Sequence, residues 1–186
     1  TGVQTCALPI YKNDLAETLL LNLSKGTGHA GLVGIKPVSG NLLRPLLKFE
    51  KEELLEYASQ NNLAWREDAS NSVDKYQRNH LRLNVMPLLQ KINPKVEDAF
   101  LRTSEKMAAA NSFINTQIEN IKGQICIHKN NILEIDYRIF DFGNDAAFIL
   151  SEILRDYGFD FQMCTHISAH HNPESGLQFF SESHHL

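Results

Sequence analysis

The amino-acid sequence predicts an α/β N-terminal part followed by a mostly helical α+β part with one β-hairpin, and three observations predict it. Short apolar stretches, Leu42–Leu47 and Ala64–Trp65, alternate with segments of helical periodicity in the first half. From Val96 to Ile121, apolar residues recur every three or four positions in the longest periodic run of the chain. Ile125–His128 and Ile132–Asp136 then flank Lys129-Asn130-Asn131, two short strands about a turn.

Residues 1–10 carry neither charge nor periodicity and lack the basic start and long apolar stretch of a signal peptide. They resemble one reading frame of a widely used DNA sequencing adapter and are set aside from fold reasoning. On that reading Tyr11 comes from a hybrid codon and stands where His is expected; a disordered natural terminus is the alternative.

From there the elements follow in order. Asp14 with Glu17 reads as a capping pair opening a helix, whose apolar face is Leu15, Ala16, Leu19, Leu20 and Leu23 and whose stop is Gly26. A glycine-punctuated turn leads to Leu42–Leu47, an extended or edge segment broken by Pro45. A helix from about Lys51 to Asn61 turns Leu54, Tyr57 and Ala58 inward, Ala64–Trp65 forms a short buried strand, and Asp68, Ser70 and Asn71 make a polar loop. The next helix runs from about Lys75 towards Met86, where Pro87 kinks or ends it. Asn93-Pro94 is the candidate domain boundary. The periodic run from Val96 predicts one helix of about 28 residues or two nearly collinear ones, and Asp145 to Tyr157 predicts another, stopped by Gly158.

Composition excludes several classes. With 42% hydrophobic and 22% charged residues the chain is neither disordered nor fibrous, and no run of about 18 apolar residues suggests a membrane span. Cys6, Cys126 and Cys164 are too scattered for a disulfide framework and fit a reducing, cytoplasmic setting. The net charge of -4 conceals a gradient: Lys12–Lys48 and Asp74–Lys106 each carry a local +3, whereas Asn111 to the end carries -6. The two basic segments are where a polyanion would bind if they meet in space.

Three constellations could carry chemistry. Asp14, Glu17 and Thr18 share one helix face, so two carboxylates could grip a cation; the same residues could simply cap the helix. Arg78 and Arg82 lie one turn apart, which suits an anion such as phosphate; a local salt bridge to Asp74 or Asp68 is the alternative. Cys164, His166, His170 and His171 have one pair at metal-ligand spacing but no second cysteine and no zincin acid, so no metal is expected. Gly26-Thr27-Gly28-His29-Ala30-Gly31 has a superficial dinucleotide spacing, but it follows a helix instead of a strand and is rejected.

Taken in order, these pieces resemble the tRNA(Ile)-lysidine synthetase family. The matching run is Asn13-Asp14-x-x-Glu17-Thr18, Leu20-Leu21-Asn22-Leu23, Gly26-Thr27-Gly28 and Gly31-Leu32-x-Gly34-Ile35. It continues with Arg44-Pro45-Leu46-Leu47, Trp65-x-x-Asp68-x-Ser70-Asn71, Tyr76-x-Arg78-Asn79-x-Leu81-Arg82, Pro87-Leu88-Leu89 and Asn93-Pro94. Each piece is weak alone; their order and spacing are specific. From Val96 on the similarity loosens, though Gly176-x-Gln178-Phe179-Phe180-Ser181 resembles the family's approach to its last domain.

The resemblance implies an ATP-pyrophosphatase-type nucleotide-binding domain with a parallel sheet, of which residues 11–93 would be the C-terminal part. Residues 94–172 would be a helical tRNA-binding middle domain, and residues 173–186 a linker into a final domain. It implies ATP with Mg2+ as cofactors, and free lysine and a tRNA(Ile) with a CAU anticodon as partners; it allows a homodimer. The reaction would be adenylation of the wobble cytidine followed by displacement of AMP by the lysine side-chain amine. By position, Asp14 and Glu17 would hold lysine, Arg78, Asn79 and Arg82 would be the catalytic residues, and Lys75, Lys91 and Lys95 would touch tRNA. Two departures stand out: Asn13 replaces the first acid of the family's pair, and the Ser-Gly-Gly-x-Asp-Ser loop that binds ATP phosphates is absent. No cofactor-binding residue is therefore expected in this stretch, and the isolated chain is expected to be inactive. A catalytically silent RNA-binding module and another tRNA-modifying ATP pyrophosphatase are the alternatives.

Overall fold

The computed structural model describes residues 6–7, 10–64, 74–130, 132–171 and 176–186. They form two compact units, Thr1–Ser112 and Phe113–Leu186, and the division falls inside one long helix.

In the first unit, α1 spans Lys12–Ser24. Leu15, Ala16 and Leu19 fall on one face and are at most 2% exposed; burying each leucine is worth about 2 kcal/mol. The capping differs from expectation in one respect. The Tyr11 N–H donates to Asp14 Oδ2 at 2.8 Å, so Asp14 closes the first turn, while Glu17 is turned inward and buried. Leu23, expected on the apolar face, is 54% exposed because the last turn runs past the core. Gly26, at φ +74, ends the helix as predicted.

After a 3-10 turn at Gly31–Val33, strands β2 (Val38–Ser39) and β3 (Leu42–Leu43) pair antiparallel. Strand β1 (Cys6–Ala7), within the decamer set aside above, pairs parallel to β3, giving the order β1-β3-β2. Strand β3 stops before Pro45, and Leu47 packs with Leu15 and Leu19. Helix α2 (Lys51–Gln60) has no fully buried residue, and Tyr57, expected inward, is 60% exposed. Ala64 is irregular; Trp65 and the Asp68, Ser70, Asn71 loop lie outside the described residues.

Helix α3 (Asp74–His80) leads into a π turn, Leu81–Val85, and then α4 (Met86–Ile92). Pro87 therefore does not end the helix. It sits in the first turn of α4, and the chain widens just before it, because Pro has no N–H and its ring would strike the carbonyl four residues back. Helix α5 (Val96–Ile125) is a single helix of 30 residues. Within the first unit its Ser104 donates to the Val33 carbonyl at 2.6 Å, and Val96 packs with Ala16 and Met86.

In the second unit, β4 (Cys126–Lys129) and β5 (Ile132–Ile135) form the predicted hairpin, with Asn130 at φ +48 in its turn. Helix α6 (Ala146–Ile153) is shorter than predicted; a 3-10 turn, Arg155–Tyr157, completes the segment before Gly158 at φ +79. Helix α7 (Phe161–His170), capped by Asp160 accepting from Met163 N–H, was not anticipated. Ile118, Ile139, Leu150, Ile153, Cys164 and Ile167 form this unit's core. Among the described residues no helix is long and apolar enough to cross a membrane.

Candidate functional site

The first unit holds a cavity of about 300 Å³ walled by the first two turns of α1, the start of α2, the π turn and the first turn of α5. Tyr11, Asn13, Asp14 and Glu17 line one side and Arg82, Met86 and Gln90 another, with Lys51, Glu52 and Glu97 at its margins.

The two candidate groups separated in sequence meet here. Glu17 Oε1 accepts a hydrogen bond from Arg82 Nε at 2.7 Å, and Asp14 Oδ1 accepts from Arg82 Nη2 at 3.3 Å. Arg82 thus makes a long-range pair with both carboxylates; the local alternative, a salt bridge to Asp74 or Asp68, rests on side chains outside the described residues. Glu17 is 1% exposed. Burial pushes its carboxyl above the ordinary range, the hydrogen bond and charge of Arg82 pull it back, and Asp14 pushes it up again. Burial outweighs the rest. For Arg82, burial acts downward, but its bonds to Glu17 and the charge of Asp14 hold the guanidinium above its ordinary value.

Two buried acceptors on this wall, Glu17 Oε2 and Asn13 Oδ1, have no hydrogen-bond partner among the described residues. Such an orphan costs roughly 1–3 kcal/mol, so it points to a ligand donor. Four carboxylates, Asp14, Glu17, Glu52 and Glu97, stand against Lys51 and Arg82 in the lining, a net negative wall that suits a cation.

The other candidates sit less closely. Arg78 is exposed on α3, near enough for its charge to lower the Glu17 carboxyl's pKa. Asn79 is half-buried, and Lys91 and Lys95 are exposed. Lys75 belongs to α3 by its backbone, and its side chain lies outside the described residues. Thr18 turns its hydroxyl to the Asp14 carbonyl at 2.8 Å, away from ligand duty. In the second unit, the His166 and His170 rings lie 4.2 Å apart on the exposed side of α7. Cys164 is fully buried on the other side, where burial and Asp160 push its thiol up to about 12.

Lys12 was missed. It is 7% exposed, and its Nζ donates to Asp98 Oδ1 at 2.8 Å and Glu50 Oε1 at 3.1 Å, tying α1 to α5 and to the start of α2. Burial works to lower its pKa, but the two carboxylates together outweigh it and hold the ammonium above its usual value. A lysine three residues before Leu15 and seven before Leu19, in the apolar stripe itself, was the available signal.

Family comparison supplies the class of protein that carries this carboxylate–guanidinium cavity. Residues 1–89 match the PP-loop domain, an ATP-binding type, and residues 128–186 match the TilS substrate binding domain. The chain belongs to the tRNA(Ile)-lysidine synthase family. It is 34% identical over 185 residues to the tRNA(Ile)-lysidine synthase of Parabacteroides distasonis, covering 100% of this chain and 42% of that protein. The Bacteroides thetaiotaomicron enzyme is 34% identical over 181 residues, with 97% and 42% covered. That of Porphyromonas gingivalis is 30% identical over 188 residues, with 100% and 40% covered. The chain thus spans about two fifths of the length of these relatives.

Proposed function

We propose that this chain is part of an ATP-dependent ligase that joins free lysine to the wobble cytidine of a tRNA(Ile) with a CAU anticodon. Family membership supports the reaction class. One observation carries the site assignment: the buried Glu17 carboxylate keeps an unpartnered oxygen beside Asp14 and Asn13, in a cavity whose lining is net negative.

The chemistry follows from the groups. By the family's reaction, ATP would adenylate the cytidine ring carbonyl oxygen with release of pyrophosphate, and the lysine side-chain amine would then add at that carbon, lose a proton to solvent and displace AMP. Asp14 and Glu17 hold the α-ammonium of lysine, so the other amine is oriented to the nucleotide. Arg82 fixes both carboxylates. Arg78, with Asn79 beside it, faces the negative charge of the nucleotide or the tRNA backbone as it develops. Lys75, Lys91 and Lys95 add contacts to tRNA phosphates that carry no sequence information. Mg2+ accompanies the ATP phosphates; among the described residues no three carboxylates, histidines or cysteines converge to hold it. Residues 94–172 act as the tRNA-binding middle domain.

The test is lysine incorporation into a tRNA(Ile) transcript by the full-length protein that contains this segment. D14N and E17Q are expected to raise the KM for lysine about tenfold or more while leaving the KM for tRNA unchanged. Equal loss for lysine and tRNA would remove the amine-binding role.

A further inference from the structure

The π turn does more than carry Arg82 to Glu17. In an α-helix, the carbonyl of a residue accepts from the N–H four positions on. Across the widened turn, the Met86 N–H donates instead to the Leu81 carbonyl, five positions back. That bond takes away the donor that Arg82 would receive. The next candidate, five positions on from Arg82, is Pro87, which has no N–H. The carbonyl of Arg82 is therefore left without an intrahelical donor at either the α or the π spacing.

Its direction is fixed by helix geometry. A helical carbonyl points along the axis towards the turn that follows, here towards Met86. Arg82 and Met86 both line the cavity. Placed between two lining residues, that main-chain oxygen faces across the cavity towards the side that carries the unpartnered Glu17 Oε2 and Asn13 Oδ1.

We propose that the main-chain carbonyl of Arg82 is a third acceptor of the amine site, completing with Glu17 Oε2 and Asn13 Oδ1 a cradle for one primary ammonium group. The match is one of number as well as charge: an ammonium has three N–H donors and no acceptor. This rests on the lysine reading above and adds to it a selection for –NH3+ over more substituted amines. It also gives Pro87 a role, since another residue there would return an N–H that, continuing the π spacing, reaches the Arg82 carbonyl and competes for it.

The experiment is lysine titration of the whole chain, wild type against P87A and E17Q, with thermal melting of each. P87A is expected to bind lysine about tenfold more weakly, the loss of one charge-assisted hydrogen bond, while melting at or above the wild-type temperature, because an alanine suits a helix better than proline. A variant that merely loosened the fold would lose both together. Nα,Nα-dimethyl-lysine, which keeps the charge but one N–H, is expected to bind the wild type poorly and to lose little more in P87A. Should P87A not fold, an ester in place of the Arg82–Leu83 peptide bond weakens the same oxygen and is expected to lower lysine affinity severalfold. Lysine binding unchanged in P87A, or in the ester if P87A does not fold, overturns the proposal. Binding unchanged in E17Q instead overturns the lysine reading on which it rests.

Discussion

Arg82 and Glu17, 65 residues apart in sequence, meet in a 2.7 Å hydrogen bond in which the carboxylate is 1% exposed while the arginine side chain remains 48% exposed. The asymmetry decides what each partner's loss does. R82Q leaves a buried carboxylate uncompensated, which in a fully buried pair costs about 3–5 kcal/mol; partial exposure of this pair reduces the expected loss to about 2 kcal/mol. E17Q leaves an arginine that can turn to water, and is expected to cost less than about 1 kcal/mol. Urea unfolding at neutral pH checks the order: R82Q is the less stable of the two.

The Glu17 carboxyl is held above its ordinary value of 4.5, by burial first. A raised folded-state pKa means the group contributes stability below the unfolded value and loses it as pH rises through the folded one. Wild type is therefore expected to gain on E17Q as pH falls from about 7 towards about 4, where an unperturbed glutamate titrates. Denaturation midpoints of both proteins across that window measure it; parallel curves would show that Glu17 is not buried as described.

Lys12 predicts the opposite slope elsewhere. Its hydrogen bond and charge hold the Asp98 carboxyl below its ordinary 3.8. That contribution is present above the unfolded value and is lost as pH falls through the folded one. K12M, which fills the same buried space without the charge, is expected to flatten the acid limb of the stability curve between about pH 5 and pH 2.

Gly34 sits at φ +64, and a Cβ there would lie 2.8 Å from Leu15 Cδ1 and 3.1 Å from Leu19 Cδ2. Backbone strain and overpacking act together, so G34A is expected to cost about 2–4 kcal/mol. At Gly26, φ is +74 but the space is open, and G26A is expected to cost about 1 kcal/mol. Melting both variants separates the two contributions.

What was legible in the sequence was local. The period of Val96–Ile121 predicted one helix of about 28 residues or two nearly collinear ones, against the single 30-residue helix observed, and the Asn pair predicted the hairpin, because each signal lies within one element. Asp14 and Glu17 were visible as a pair at three-residue spacing, and Arg78 with Arg82 at four. That Arg82 reaches both acids was not visible, because it depends on packing α1 against the π turn. The π turn was half legible: Pro87 announced a disturbance, and only tertiary contacts decide between ending a helix and widening it. Helix α7 was missed because its inward residues, Cys164 and Ile167, are too few to mark a period. Tyr57 and Leu23 show the reverse error, apolar positions in phase with a face that the fold leaves exposed.

The most direct measurement is the affinity of the chain for lysine against Nα-acetyl-lysine, in wild type and E17Q. If Asp14, Glu17 and Asn13 receive the α-ammonium, lysine binds at least about tenfold more tightly than the acetylated form, and E17Q abolishes that preference. Equal binding of the two compounds by the wild type, or a preference that survives in E17Q, would contradict the assignment of this cavity to the amine of the substrate.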